Sequence, residues 1–218
     1  MSKLVWDQTS ERLYETGVEQ VALFLKKSGA YPQGVAWNGC SALNITPSGA
    51  EPTALYANNR KYLTLMSAED VGFTIEAYTY PEEFAACNGE KALAAGVYIG
   101  QQTREAFGLA AKTLIGNDEE MNKHGYKLHL LYDALANPSE KAYATVNETP
   151  EAMTLSWECT TTPVEVPGFE PTAYICIDST KVDAEKLAAL EEIIYGSDDV
   201  EPRLPLPSEI VTLMGGAA

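Results

Sequence analysis

The sequence lacks paired chemistry. Its four cysteines, Cys40, Cys87, Cys159 and Cys176, are far apart, with no CxxC spacing, and only His124 and His129 could join them. Structural zinc sites show close paired ligands, so no structural metal is expected. Four scattered cysteines in 218 residues do not make a disulfide framework either. Cys159 and Cys176 alternate with apolar neighbours and read as small buried hydrophobes. A phosphate-binding glycine loop, GxSxG and HExxH are all missing, and Gly96 and Gly100 in GVYIGQQ do not match a dinucleotide fingerprint. No cofactor is implied. The start, MSKLVWDQTSERLYE, lacks the apolar core of a signal peptide, and no uncharged apolar run is long enough to span a bilayer. A soluble protein made in a cytoplasm, with no membrane partner, is expected. Positive charge is scarce too: Lys+Arg number 15 against Asp+Glu 31, a formal net charge of -16. Such a surface repels phosphate and anionic lipid, which argues against a nucleic-acid clamp or a basic membrane anchor. The acidity serves solubility, or it keeps the chain from sticking to a polyanion it must stay near.

What the sequence does hold is alternation. In AEDVGFTIEAYTY, residues 68–80, Val71, Phe73, Ile75 and Ala77 fall on one side of an extended chain, and Gly72, Thr74, Glu76, Tyr78 and Tyr80 on the other. A period of two means a strand with one dry and one polar face. Similar segments occur at Arg12–Tyr14, Val18–Leu25, Gly34–Trp37, Lys61–Met66, Phe107–Ile115, Tyr126–Ala134, Lys141–Val146, Met153–Cys159 and Ala173–Ile177. Asn38-Gly39 and Asn137-Pro138 are turn signals between them, and residues 116–125 read as an acidic hairpin tip.

Two stretches stand out. Residues 40–59, CSALNITPSGAEPTALYANN, carry Pro47-Ser48-Gly49, Pro52 and Asn58-Asn59 without a sustained period. They read as a long loop whose apolar residues Leu43, Ile45, Leu55 and Tyr56 dock on something. Residues 197–218 carry three prolines and read as an extended tail, with Ile210, Val211, Leu213 and Met214 as apolar anchors on its own domain or a neighbour. Helical spacing occurs late. Asp183 can cap a helix holding Leu187, Leu190 and Ile194 that Gly196 ends, and Pro81–Cys87 reads as a brief one. The expected fold is mainly β: an antiparallel β-sandwich or curved sheet with one flanking α-helix, in a single domain over residues 1–218.

Candidate chemistry is thin. Glu82-Glu83 and Glu191-Glu192 are neighbours that point apart. Glu76 and Glu158, both mid-strand, are the better carboxylate pair for a glycosidase. Tyr78, Tyr80 and Trp157 are candidates for a sugar platform, which makes a carbohydrate-binding module the alternative function. Set against these, a mid-strand glutamate is usually a solvated face, and tyrosine and tryptophan are enriched in cores and interfaces.

The order of segments resembles the major tail tube protein of long-tailed phages of Gram-positive bacteria. The resemblance rests on KLVWDQTSERLYETGV, YPQGVAWNG, SGAEPTALYANNRKYLTLMSAEDVGFTIEAYTYPEEFAACNG, GVYIGQQTREAFGL, YKLHLLYDALANPSEKAYATVNETPEAMTLSWECTTTPVEV and KLAALEEIIYG, nearly the whole chain. It implies a structural virion protein without catalytic residues. Six copies would form a ring whose sheets join into one inner β-barrel, and rings would stack into a tail tube that passes DNA from capsid to cell. The implied partners are further copies of the chain and the tape measure, tail terminator and distal tail proteins. The implied location is the virion tail, assembled in the host cytoplasm. Glu76 and Glu158 become candidates for the lumen wall, and Leu43, Ile45, Leu55 and Tyr56 for contact between rings.

Overall fold

A computed structural model describes residues 3–146 and 152–215. The main sheet is antiparallel and runs in the order β2 (Gly34–Ala36), β1 (Tyr14–Leu25), β9 (Phe107–Asn117), β10 (Met121–Ala136), β11 (Leu155–Thr161), β6 (Glu69–Ala77) and β3 (Cys40–Gly49), with β14 (Tyr174–Asp178) paired to β10 beside that path. Three hairpins stand off it: β4 (Pro52–Ala57) with β5 (Arg60–Met66), β7 (Lys91–Ala94) with β8 (Val97–Ile99), and β12 (Val164–Val166) with β13 (Phe169–Thr172). Three helices, α1 (Phe84–Cys87), α2 (Ala184–Tyr195) and α3 (Pro207–Met214), complete the described residues.

The sheet curls so that its two halves face each other across a first core. Val21 and Leu23 of β1, Leu109 and Ala111 of β9, Leu131 of β10, Phe73 and Ile75 of β6, and Leu155 and Trp157 of β11 meet there. The expected dry face Val71, Phe73, Ile75 and Ala77 therefore points inward, with only Val71 less than buried. One end of this core is closed by α1. Phe84 packs edge-on or tilted against Trp37, Tyr80, Phe107 and Trp157, with ring centroids 4.5–6.0 Å apart.

A second core lies on the other side of β1, β9 and β10. Phe24, Ala110, Leu128, Leu130 and Tyr132 meet Ile177 of β14, Leu187, Leu190 and Ile194 of α2, and Ile210 of α3. The central strands are thus buried on both faces, whereas alternation alone implied one dry face. The expected face of β10, ending at Ala134, is broken. A bulge between Leu131 and Ala134 shifts parity, so Tyr132 points to the second core and Ala134 to the first. Asp133 adopts a positive φ of 47° at this bulge, and its backbone N–H donates to the Tyr31 hydroxyl at 2.9 Å.

Helix α2 starts and stops where its residues dictate. The Asp183 carboxylate accepts from the N–H groups of Glu185 and Lys186, and Gly196 follows the last turn. Buried Lys112 pairs with Glu191 of α2 at 2.8 Å and lies over the Tyr126 ring, 4.4 Å from its centroid. This fixes α2 on the sheet. It also draws the half-buried Glu191 carboxylate onto the sheet, because a buried ammonium left without a partner is costly.

Four expectations need correction. Cys176, expected as a small buried hydrophobe, is exposed on β14, while Cys159 is buried as expected. The stretch expected as a loop, 40–59, is strand β3, strand β4 and the turn at Asn58-Asn59. Pro47 fits because β3 is a sheet edge, and Pro52 because it is the first residue of β4. Residues 141–146, expected as a strand, form none. The tail is extended only to Leu206; beyond it α3 is a second flanking helix, with Pro207 at its first turn and Gly215 in the left-handed region after its last. Phe84 is fully buried among four aromatic rings, so Phe84→Ala should destabilise the fold by about 3–5 kcal/mol, read from urea unfolding.

Candidate functional site

The polar side chains that sequence singled out do converge, but on an open sheet face and not in a cleft. On β6, Thr74 and Glu76 point away from the first core. Glu76 lies opposite Ser156 of β11 and Ala42 of β3, and Thr74 lies opposite Glu158 and Asn44. Glu76 and Glu158 are therefore diagonal neighbours on one face, with Asn44, Thr46, Ser156 and Thr160 around them. Side chains at such positions stand side by side, roughly perpendicular to the sheet. A glycosidase needs carboxylates that face each other across a bound sugar. Four concavities among the described residues are lined by other residues. The carboxylate pair thus stands on an open face and lines none of these concavities.

The sugar platform is not assembled either. Trp157 is only 1% exposed, its indole N–H donating to the Asn88 side-chain oxygen at 3.2 Å. Tyr80 is partly buried, edge-on to Trp157 at 5.5 Å. Of the three rings only Tyr78 is exposed. Aromatic burial against α1 wins because a flat indole face is worth more in the core than waiting in water.

His129 is 7% exposed and bonded at both nitrogens. Nε2 lies 2.8 Å from the Thr113 hydroxyl and Nδ1 2.7 Å from the Tyr174 hydroxyl. Thr113 donates to Glu15 at 2.8 Å, so its oxygen accepts from Nε2–H and Nδ1 accepts from Tyr174. One neutral tautomer satisfies the chain, and burial lowers the histidine pKa in the same direction. Burial pushes the Cys87 thiol up to about 12 and raises that of Cys159, so neither supplies a thiolate at neutral pH. Among the described residues no group of three His, Cys, Asp or Glu side chains is placed to hold a metal.

The remaining candidates are surfaces. The β4–β5 hairpin projects as an arm beyond the Gly49↔Glu69 end of the β3–β6 pair. Leu55, Leu63 and Leu65 share one of its faces, and these with Tyr56, Tyr62 and Met66 are all exposed. Two of the residues expected in an inter-ring loop, Leu55 and Tyr56, belong to this arm. The other two, Leu43 and Ile45, point into the first core from β3 and anchor the edge strand. Sequence reasoning missed the second unburied hairpin, β7–β8, which exposes Leu93, Val97, Tyr98 and Ile99. Its signal was the Ala94-Ala95-Gly96 turn between two short apolar runs. Strand β3 pairs with β6 on one side and has no strand partner on the other among the described residues.

The tail anchors are spent within the chain. Ile210 is buried, Leu213 and Met214 pack on the second core, and Val211 is half-buried outside it. The Tyr132 hydroxyl donates to the Pro205 carbonyl at 3.0 Å, and the Gly34 N–H to the Pro202 carbonyl at 2.7 Å. A bidentate pair from Arg203 to Glu209 ties the strap to α3.

No protein-family model matches this sequence, and no curated protein matches it significantly. Among solved structures, it is similar to a chain of the 6-fold symmetrised anti-feeding prophage baseplate, at 10% identity and TM-score 0.39, over 80% of this chain and 97% of that one. It is also similar to a chain of the PVC sheath-tube complex of an extracellular contractile injection system, at 8% identity and TM-score 0.33, over 73% and 88%. With TM-scores below 0.5, neither likeness carries an argument about function.

The Arg203–Glu209 pair makes a pH prediction. Hydrogen bonds from the guanidinium hold the Glu209 carboxyl below its ordinary value of 4.5. A depressed folded pKa stabilises above the unfolded value, and the stabilisation is lost as pH falls through the folded one. Thermal midpoints of the protein and its Glu209→Gln variant should therefore differ near neutral pH and converge once pH drops well below 4.5.

Proposed function

We propose that this chain is a tail tube subunit, a structural virion protein that assembles into stacked hexameric rings around a channel for DNA. One observation carries the reading: a folded β-domain holds an apolar hairpin arm, β4–β5, away from its own core. An isolated two-stranded hairpin is marginal in water, and exposed leucines on one face of it gain nothing until covered. The open edge of β3 adds to this. A ring in which each β3 pairs with a neighbour removes the edge and joins the sheets into an inner barrel. The resemblance of nearly the whole sequence to tail tube proteins supports the same assembly.

In that assembly the face bearing Glu76 and Glu158 lines the lumen. Asp70, opposite Ser48, shares that face, its other side chains are small and uncharged, and three carboxylates per subunit repel a polyanion around the whole wall. The tape measure protein would occupy this channel before DNA. The terminator and distal tail proteins would meet the two end rings, in a virion tail assembled in the host cytoplasm. A virion β-module that binds glycans is not favoured, since its platform residue Trp157 is buried.

Negative-stain microscopy of the purified protein tests the proposal: rings or tubes are expected, and a monomer at every concentration overturns it. On assembly, amide exchange in β4–β5 should slow by at least about a hundredfold. In tubes built from Glu76→Lys, Glu158→Lys subunits, DNA ejection should slow, and slow less as salt rises and screens the introduced charge. Unchanged ejection at low salt removes both residues from the channel wall.

A further inference from the structure

The two unburied hairpins leave opposite ends of one strand pair. The β4–β5 arm continues from Gly49↔Glu69, while the Cys40↔Ala77 end leads within a few residues to α1 and the β7–β8 hairpin. The registered pair between them spans about 30 Å at about 3.3 Å per residue. The arm of a subunit therefore lies far from the corner formed by its own α1 and β7–β8.

These ends are opposite in charge and alike in being apolar. Between Pro52 and Met66 the charged residues are Arg60 and Lys61, both exposed at the tip, an exception in a chain of net charge -16. Neither has an ion-pair partner among the described residues. At the corner, Glu82, Glu83 and Glu105 are exposed. Glu82 accepts from the exposed Tyr98 hydroxyl at 2.7 Å, and Glu105 is held beside α1 by its N–H to the Ala86 carbonyl at 3.2 Å. The nearby cations are engaged internally. Arg104 donates to the Cys87 and Ala136 carbonyls, and Lys141 pairs with Glu90 at 2.6 Å. Lys91 on β7 is the exposed cation left at the corner among the described residues. Leu93, Val97 and Ile99 then supply apolar surface for Leu55, Leu63 and Leu65 to cover.

We infer that the β4–β5 arm of one subunit docks on the α1–β7–β8 corner of a second copy, placed head to tail. The inference rests on the tube reading and names the surface that receives the arm. A two-fold arrangement would use both arms and both corners at once and stop at two copies, so a tube requires the head-to-tail form. A head-to-tail contact closes into a ring only if its rotation brings the last copy back to the first; directed along the tube axis it leaves each copy a free arm for the next. Ring stacking follows from this one contact, and the charges set its polarity.

The test uses the full chain with Arg60→Glu and Lys61→Glu, with Glu82→Lys and Glu83→Lys, and with all four changes. All four positions are exposed, so thermal midpoints should stay within a few degrees. Sedimentation and microscopy at low salt then read stacking. Each reversed pair should raise the concentration needed for stacking at least about tenfold, and the fourfold variant should recover most of it. Stacking by either reversed pair at the normal concentration overturns the inference, as does a fourfold variant no better than the worse pair. In both cases rings of the unaltered protein leave the tube reading intact. An unaltered protein that forms neither rings nor stacks removes the tube reading and the inference together.

Discussion

The fold depends on three strands, β1, β9 and β10, that are covered on both faces. Along the covered stretch, such as Val21–Phe24 of β1 and Leu128–Tyr132 of β10, little polar face is spare and nearly every residue must fit one core or the other. Small residues follow from this: Gly108, Ala110 and Ala111 sit where the two cores press closest. So does the bulge at Asp133, which lets β10 serve both cores with large side chains over most of its length. The helices α2 and α3 have to lie on one side because the other is already filled by β6 and β11. What remains for solvent is the far face of β3, β6 and β11 and whatever the chain holds out beyond the sheet.

That remainder separates stability from function. The aromatic cluster around Phe84 and the helix layer hold the domain together with groups that are mostly buried. The arm, the β7–β8 hairpin and the edge of β3 are surplus to that task. Their leucines and tyrosines are arranged by strand pairing alone, which a single hairpin sustains poorly. The domain thus has a rigid part that specifies shape and a weakly held part whose order depends on what it meets.

Much of this was legible in sequence because burial on one face leaves a period of two. The dry side of β6, the Asp183 cap and the Gly196 stop were readable residue by residue, and so was the open polar face with Glu76 and Glu158. The region 40–59 was not, since prolines and an irregular period look like a loop when the strand is an unprotected edge with little to bury. Strand β10 misled for the opposite reason: two dry faces and a parity shift erase the alternation that one dry face would write. The hairpin β7–β8 escaped notice because alanine and glycine give no contrast between faces. Tyr80 and Trp157 looked like a ligand platform because sequence shows the ring and not what covers it. Lys112 was silent too, its burial being visible only once Glu191, Tyr126 and Tyr195 are seen to surround it.

The strap from Pro202 to Leu206 crosses the sheet at Gly108, where a β-carbon would collide with the Leu204 side chain and crowd the Tyr31 ring. Leu204 also forms a β-bridge with Tyr31, a partner far away in sequence. Arg203 holds the strap locally, through its N–H to the Ile193 carbonyl and its pair with Glu209, but the seat on the sheet is made with residues far away in sequence and needs strands already paired. It behaves as a latch on a finished box. A side chain at Gly108 would leave the box intact and the latch unseated, exposing the second core along a seam. In such a variant a protease would find that seam as well as the weakly held arm, at a glycine remote from every proposed contact with a neighbour.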